Sequence, residues 1–159
     1  MIVFHGSNKI VEKPNVQFSK NYLDFGKGFY VTSFKEQAER WALRKASRYG
    51  ENPMVNIYEL NENLSNYNVL KFNNESEKWL DFVCSCRNGS DEYKKFDIII
   101  GNVADDDVFK MVDMYFQGLW DKQKVLKELT YYKMNDQICI VNQEVLSVVL
   151  KFEKSYVVK

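Results

Sequence analysis

The sequence predicts an α+β fold with a mostly antiparallel sheet. Three observations point there. Short alternating or wholly apolar runs, such as Met54 to Leu60 and Asp97 to Gly101, read as strands. An amphipathic stretch from Phe34 to Tyr49 reads as a helix, and the two kinds of element are mixed without a regular strand–helix–strand alternation. With 159 residues and 45% apolar content, the chain can build one core but not two comfortable ones, so a single domain over 1–159 is expected.

In chain order, Ile2 to His5 reads as a strand ending at the turn-forming cluster Gly6-Ser7-Asn8. Phe25-Gly26-Lys27-Gly28 is a glycine-punctuated turn feeding a strand from Phe29 to Thr32. Ser33 followed by Glu36 has the spacing of a capping box, and Phe34, Ala38, Trp41, Ala42, Ala46 and Tyr49 recur at helical spacing until Gly50 closes the element. Arg40, Arg44 and Arg48 share one i, i+4 row of that helix. Met54 to Leu60 is a strand, and Tyr67 to Phe72 a weaker one. Glu75 to Arg87 reads as a second helix, stopped by Asn88-Gly89, and Asp97 to Gly101 as a buried strand. A third helix should begin at Asp105-Asp106-Asp107, present Val108, Met111, Val112 and Tyr115, and stop at Gly118. Asp121 to Leu129 reads as a fourth helix, Gln137 to Val141 as a strand, and the tail from Val148 to Val158 as another.

Composition narrows the function classes. There is no stretch of 18 apolar residues and no apolar signal core, so a soluble cytoplasmic protein is expected, with no membrane partner. Cys84, Cys86 and Cys139 are an odd set without framework spacing and read as buried small apolar groups in a reducing compartment. Net charge is zero, yet residues 1–50 carry nine Lys/Arg against four Asp/Glu, and residues 51–110 carry six against twelve. A basic first third suits a phosphate-bearing ligand; solvated charge on helix surfaces explains it as well.

Nucleotide-binding glycine loops and the GxSxG elbow are missing. His5 is the sole histidine, which excludes a two-histidine metal site, and no metal is expected. On its own, a histidine at a strand end is more often a hydrogen-bonding structural group than an acid–base one. The run Asp105 to Asp107 invites a metal reading, but acidic residues at a helix start are favoured by the backbone dipole.

Three segments change the weighing: Phe4-His5-Gly6-Ser7, Phe25-Gly26-Lys27-Gly28-Phe29-Tyr30-Val31-Thr32 and Asn135-Asp136-Gln137-Ile138-Cys139-Ile140. In this order they resemble the three signature strands of ADP-ribosyltransferases of the histidine–tyrosine–glutamate clade, which includes the poly(ADP-ribose) polymerases. The second is the most specific: FGKGFYVTSFKEQAERWA is similar to that clade's glycine-lysine-glycine-isoleucine-tyrosine stretch and the helix after it, with Tyr30 and Trp41 eleven residues apart. From Met1 to about Phe152 the chain also looks like a family of small bacterial proteins of this fold, whose middle signature is similar to Asp97 to Asp106.

The resemblance implies a split sheet with flanking helices and a pocket for NAD⁺ as co-substrate. His5 and Ser7 would hold the adenosine ribose, Gly6 the nicotinamide carboxamide, and Tyr30 and Trp41 the nicotinamide ring; from its own helix alone, Trp41 reads as plain core. Gln137 stands where the clade has its catalytic glutamate. It can hold a ribose hydroxyl but brings no charge and cannot serve as a base. Together with His5 and Tyr30 it forms the implied catalytic set.

Asn135, two residues earlier, is the implied substrate reader. The stretch from Trp120 to Met134, with Lys122, Lys124, Lys127, Tyr131, Tyr132 and Lys133, suits a nucleic-acid acceptor or an ordinary solvated face. The resemblance thus implies a mono-ADP-ribosyltransferase acting on a protein or nucleic-acid acceptor, and it extends to the toxin of a toxin–antitoxin pair with an antitoxin protein as partner. Two alternatives stay open: a non-catalytic NAD or ADP-ribose binding module, and an RNA 2′-phosphotransferase.

Overall fold

A computed structural model describes residues 1–73, 77–104, 106–129 and 135–159, with Asp106 described by its backbone alone. Among the described residues seven strands form two sheets. The first has the order β1 (Ile2–Ser7), β3 (Met54–Leu60), β7 (Leu150–Val157), all antiparallel. In the second, β2 (Phe29–Val31) pairs antiparallel with β6 (Gln137–Ile140), β6 antiparallel with β5 (Ile98–Gly101), and β5 parallel with β4 (Val69–Lys71). The expected α+β class with a mostly antiparallel sheet is what the chain adopts, at 39% helix and 24% strand. Among the described residues no helix is long and apolar enough to cross a membrane.

The two sheets meet where Phe4 and Thr32 exchange both backbone hydrogen bonds, at 2.8 and 2.9 Å. Strand alternation then sorts the side chains into layers. Val3, Tyr58, Leu60, Phe29, Val31, Ile98, Ile138 and Ile140 fill the space between the sheets. Phe4, Val55 and Ile57 take α1 (Lys35–Tyr49) on the outer face of the first sheet. Ile99 and Cys139 face α2 (Glu77–Arg87), α3 (Asp106–Phe116) and α4 (Lys122–Leu129) beyond the second. The three cysteines are free and buried, as their reading as small apolar groups requires.

Helix α1 lies unusually close to β1 because Gly6 has no side chain. A Cβ there would fall 2.1 Å from the Ala38 carbonyl oxygen and 2.7 Å from the Ala42 nitrogen. Ala38, Ala42 and Ala46 provide the matching smooth row on the helix, and Gly50 ends it in the left-handed region at φ 69°.

Several local expectations need correction. Strand β1 continues through Gly6 and Ser7, because both still pair with β3, at Val55 and Met54. The capping box does not form: α1 starts at Lys35 with Phe34 as its uncapped N-cap, since Ser33 gives both its amide and its hydroxyl to Asp136. Phe34 and Tyr49, expected on the apolar face, are exposed. The expected tail strand is preceded by a helix, α5 (Gln143–Val149), into which Val148 falls. Asn142 caps it by accepting from the Glu144 amide, and strand β7 starts only at Leu150. The weaker strand from Tyr67 to Phe72 shrinks to Val69–Lys71. Glu75, Asp105 and the segment Tyr131, Tyr132, Lys133 and Met134 lie outside the described residues.

Gly6→Ala should lower the unfolding free energy by about 1–3 kcal/mol or more, the cost of overpacking a close backbone contact. Urea denaturation measures it, and a midpoint equal to that of the parent would show that α1 is not seated on the glycine.

Candidate functional site

Past the Phe4–Thr32 pair, β1 stays with β3 while β2 stays with β6, and a cleft of about 1270 Å³ opens where they part. His5, Gly6, Ser7, Tyr30, Trp41, Asn135 and Gln137, drawn from β1, β2, α1 and the entry to β6, all line this one cleft. In an antiparallel pair the backbone groups of alternate residues point to the same side. Phe4 spends its N–H and C=O on Thr32, so those of Gly6 point the same way, into the gap that β2 has left.

His5 stacks on Phe29, ring centroids 4.4 Å apart, and its Nδ1 lies 2.7 Å from the Tyr30 carbonyl oxygen. A carbonyl only accepts, so Nδ1 carries the proton and donates, which leaves Nε2 as an acceptor. Burial, with the Lys45 ammonium adding to it, pushes the imidazole pKa from 6.5 to about 3 against the opposing pull of the Tyr30 carbonyl. At neutral pH His5 is therefore an uncharged acceptor suited to a hydroxyl donor and not a proton shuttle.

The Tyr30 phenol donates to the Gly26 carbonyl at 2.6 Å and accepts from the Phe25 amide at 3.1 Å, which ties the ring to the turn that precedes its own strand. Burial first, then the neighbouring Cys139 sulfur and the Asp24 carboxylate, raises its pKa well above 10, so it stays a neutral phenol. Trp41 lies half-buried beside Gly6, with its Cβ 2.7 Å from where a Gly6 side chain would begin. Neither the Tyr30 nor the Trp41 ring stacks on another aromatic among the described residues.

Gln137 is 3% exposed, and its Nε2 donates to Asp24 Oδ2 at 2.8 Å and to the Asn102 carbonyl at 3.1 Å. Both amide hydrogens being spent, the carbonyl end of the carboxamide is fixed in direction. Asp24 is in turn held by Arg87, whose Nε and a terminal nitrogen both donate to Oδ1, and by the Ala104 amide at 2.9 Å. Removing one member of such a buried pair costs about 3–5 kcal/mol, whereas the exposed Lys94–Asp91 pair is screened by water and contributes little. Asp24 and Arg87 are thus the ion pair that matters for the site, and both escaped the sequence reading. An acidic residue directly before the apolar Phe25-Gly26 turn was the available signal.

Two further side chains enter here. Asp136 accepts from Thr32 Oγ1 at 2.7 Å and from the Ser33 amide at 2.8 Å, and its own carbonyl accepts from Gln37 Nε2 at 2.6 Å. This knot docks the start of β6 on the start of α1, which fixes Gln137 relative to Trp41. Gln37 also lines the cleft, and its Oε1 is buried without a hydrogen-bond partner among the described residues. Asn135, expected to read a substrate, has its carboxamide committed to Val103, accepting from the amide at 2.9 Å and donating to the carbonyl at 3.4 Å. Ser7 Oγ accepts from the Lys9 amide at 3.3 Å.

The His5 shift has a stability consequence. A base whose folded pKa is depressed contributes stability that is present in full above 6.5 and is lost as pH falls toward about 3. His5→Phe, which keeps a ring on Phe29 but cannot titrate, should show a shallower decline of melting temperature over that window. Parallel decline in both proteins would mean that the imidazole is not held neutral.

No curated protein and no solved structure matches the chain. A family model described as "Protein of unknown function (DUF3990)" matches residues 1–152, and the chain belongs to that family.

Proposed function

We propose that the chain binds NAD⁺ in this cleft and transfers ADP-ribose from it to a macromolecular acceptor, as a mono-ADP-ribosyltransferase. One observation carries the reading: His5, Gly6, Tyr30, Trp41 and Gln137, distant in sequence, converge on a single cleft at the split between two sheets. Nε2 of His5 accepts a ribose hydroxyl. The outward-facing backbone of Gly6 pairs with the nicotinamide carboxamide, and the unstacked rings of Tyr30 and Trp41 take up its flat, positively charged ring. The oriented carbonyl of Gln137 accepts the 2′-hydroxyl of the nicotinamide ribose.

In the step itself the bond from ribose C1′ to the nicotinamide nitrogen breaks, and its electron pair leaves on nicotinamide, which becomes neutral. The cation remaining on the ribose is stabilised by negative ends of dipoles aimed at it, here the Gln137 carbonyl. An acceptor oxygen or nitrogen bonds to C1′ and releases its proton to solvent. Asp24, its oxygens already engaged by Arg87, Ala104 and Gln137, is not available as the base.

A second reading, a module that binds NAD⁺ or ADP-ribose without turnover, is favoured by Gln137 itself, which brings no negative charge where the resemblance puts a glutamate. A cytoplasmic setting and an antitoxin partner belong to the same proposal, the first supported by the absence of an apolar signal core and by the unpaired cysteines, the second by the resemblance alone.

Radiolabelled NAD⁺ separates the two readings: the transferase releases nicotinamide in the presence of protein, RNA or DNA pools, and mass spectrometry finds one added ADP-ribose on the acceptor. A protein that binds NAD⁺ but never releases nicotinamide is the binding module. Gln137→Ala should lower turnover about 10²–10³-fold, the range for losing one preorganised polar group at the reacting centre, with a much smaller change in affinity. Equal loss of both would assign the residue to binding only. Trp41→Ala, at a half-buried cleft position, should weaken NAD⁺ more than ADP-ribose, which lacks the nicotinamide ring, and equal weakening of the two ligands would remove the ring from the site.

A further inference from the structure

Helix α1 presents three parallel i, i+4 rows. Ala38, Ala42 and Ala46 face the sheet; Gln37, Trp41 and Lys45 line the cleft beside them; Arg40, Arg44 and Arg48 line it further toward solvent. Among the described residues the cleft as a whole carries seven Lys/Arg against four Asp/Glu, in a chain whose net charge is zero. Exposed arginines alone would be ordinary solvated charge. Lys45 differs from them: it is half-buried, it has no carboxylate partner among the described residues, and the charge nearest to it that matters is another cation, Lys20. Burial, with Lys20 adding to it, lowers its pKa from 10.5 to about 8. Of the four carboxylates lining the cleft, Asp24 is engaged by Arg87 and Glu51 by Asn8, and none of the four is paired with Lys45 among the described residues. A half-withdrawn ammonium beside a second cation is stabilised by an anion from outside the chain.

We infer that Lys45, with Lys20 and the Arg40, Arg44 and Arg48 row, forms a phosphate-binding subsite one helical turn beyond Trp41. At a rise of 1.5 Å per residue, the two positions are about 6 Å apart along the helix. That offset separates a planar ring on Trp41 from a phosphate attached through a sugar. The phosphate has two chemical sources, the pyrophosphate of a dinucleotide or the backbone of a nucleic-acid acceptor. Both rest on the NAD⁺ reading above, the second through the acceptor of its transfer.

The test uses the full chain and its Lys45→Met and Lys45→Arg variants, with melting temperatures confirming that each is folded. Calorimetric titration with inorganic pyrophosphate, ADP-ribose, uncharged adenosine and a short single-stranded DNA supplies the arms. Lys45→Met should weaken binding of the phosphate-bearing probe by about tenfold or more, the loss expected for a hydrogen bond to a charged group. Adenosine should bind as before, and Lys45→Arg should retain most of the affinity. Weakening of ADP-ribose assigns the subsite to the dinucleotide, and weakening confined to DNA assigns it to the acceptor. Weakening of pyrophosphate by a chain that binds no ADP-ribose upholds the subsite while removing the NAD⁺ reading. Unchanged affinity for all three phosphate probes, or no binding of any of them by the parent chain, overturns the inference.

Discussion

The backbone pair between Phe4 and Thr32 is the constraint on which the rest of the molecule depends. It is where the two sheets share a ladder, and the ladder does not continue. Had β1 and β2 paired along their full lengths, Gly6 would have spent its amide and carbonyl on a neighbour and no cleft would exist. A strand edge that is neither paired nor solvated is costly, so an opening of this kind persists only where something keeps the sheets apart. Here the apolar layer between them, from Val3 and Tyr58 to Ile138 and Ile140, holds the separation.

Two aspartates translate that architecture into the placement of single side chains. Asp136 gathers Thr32, Ser33 and Gln37, so the end of β2, the start of α1 and the start of β6 are fixed to one another. Asp24 does the same for Gln137, with Arg87 neutralising its charge. Buried ion pairs contribute little net stability, because desolvation offsets most of the attraction. Their contribution here is orientation: a carboxamide has two ends of similar shape, and a fixed carboxylate decides which end faces the cleft.

The sequence disclosed what depends on local periodicity and concealed what depends on distant partners. Strand β3 and the body of α1 were legible because alternation and i, i+4 recurrence are written within a dozen residues. Ser33 was misread because its competing partner, Asp136, lies 103 positions away. Helix α5 was missed because Val145, Val148 and Val149 are β-branched, with Val148 read as the start of the tail strand, and only the Asn142 cap and the packing of Val145, Leu146 and Val149 decide otherwise. His5, Tyr30, Trp41 and Gln137 were singled out through the resemblance, and all four line the one cleft. Asp24, Arg87 and Lys45 carry no motif, and their importance comes from burial, which no spacing records.

The segment after β1 closes one side of the cleft, and its attachments have a further meaning. Asn56, wholly buried in the central strand, accepts from the Val11 amide at 2.8 Å and donates to the Lys9 carbonyl at 3.0 Å, while the Tyr58 hydroxyl donates to the Val11 carbonyl. Gln143 of α5 holds the next stretch through Pro14 and Val16. This rim is therefore riveted to the rigid sheet before any ligand arrives. A visitor to the cleft meets a wall whose conformational freedom was surrendered during folding, and retains more of its contact energy as affinity.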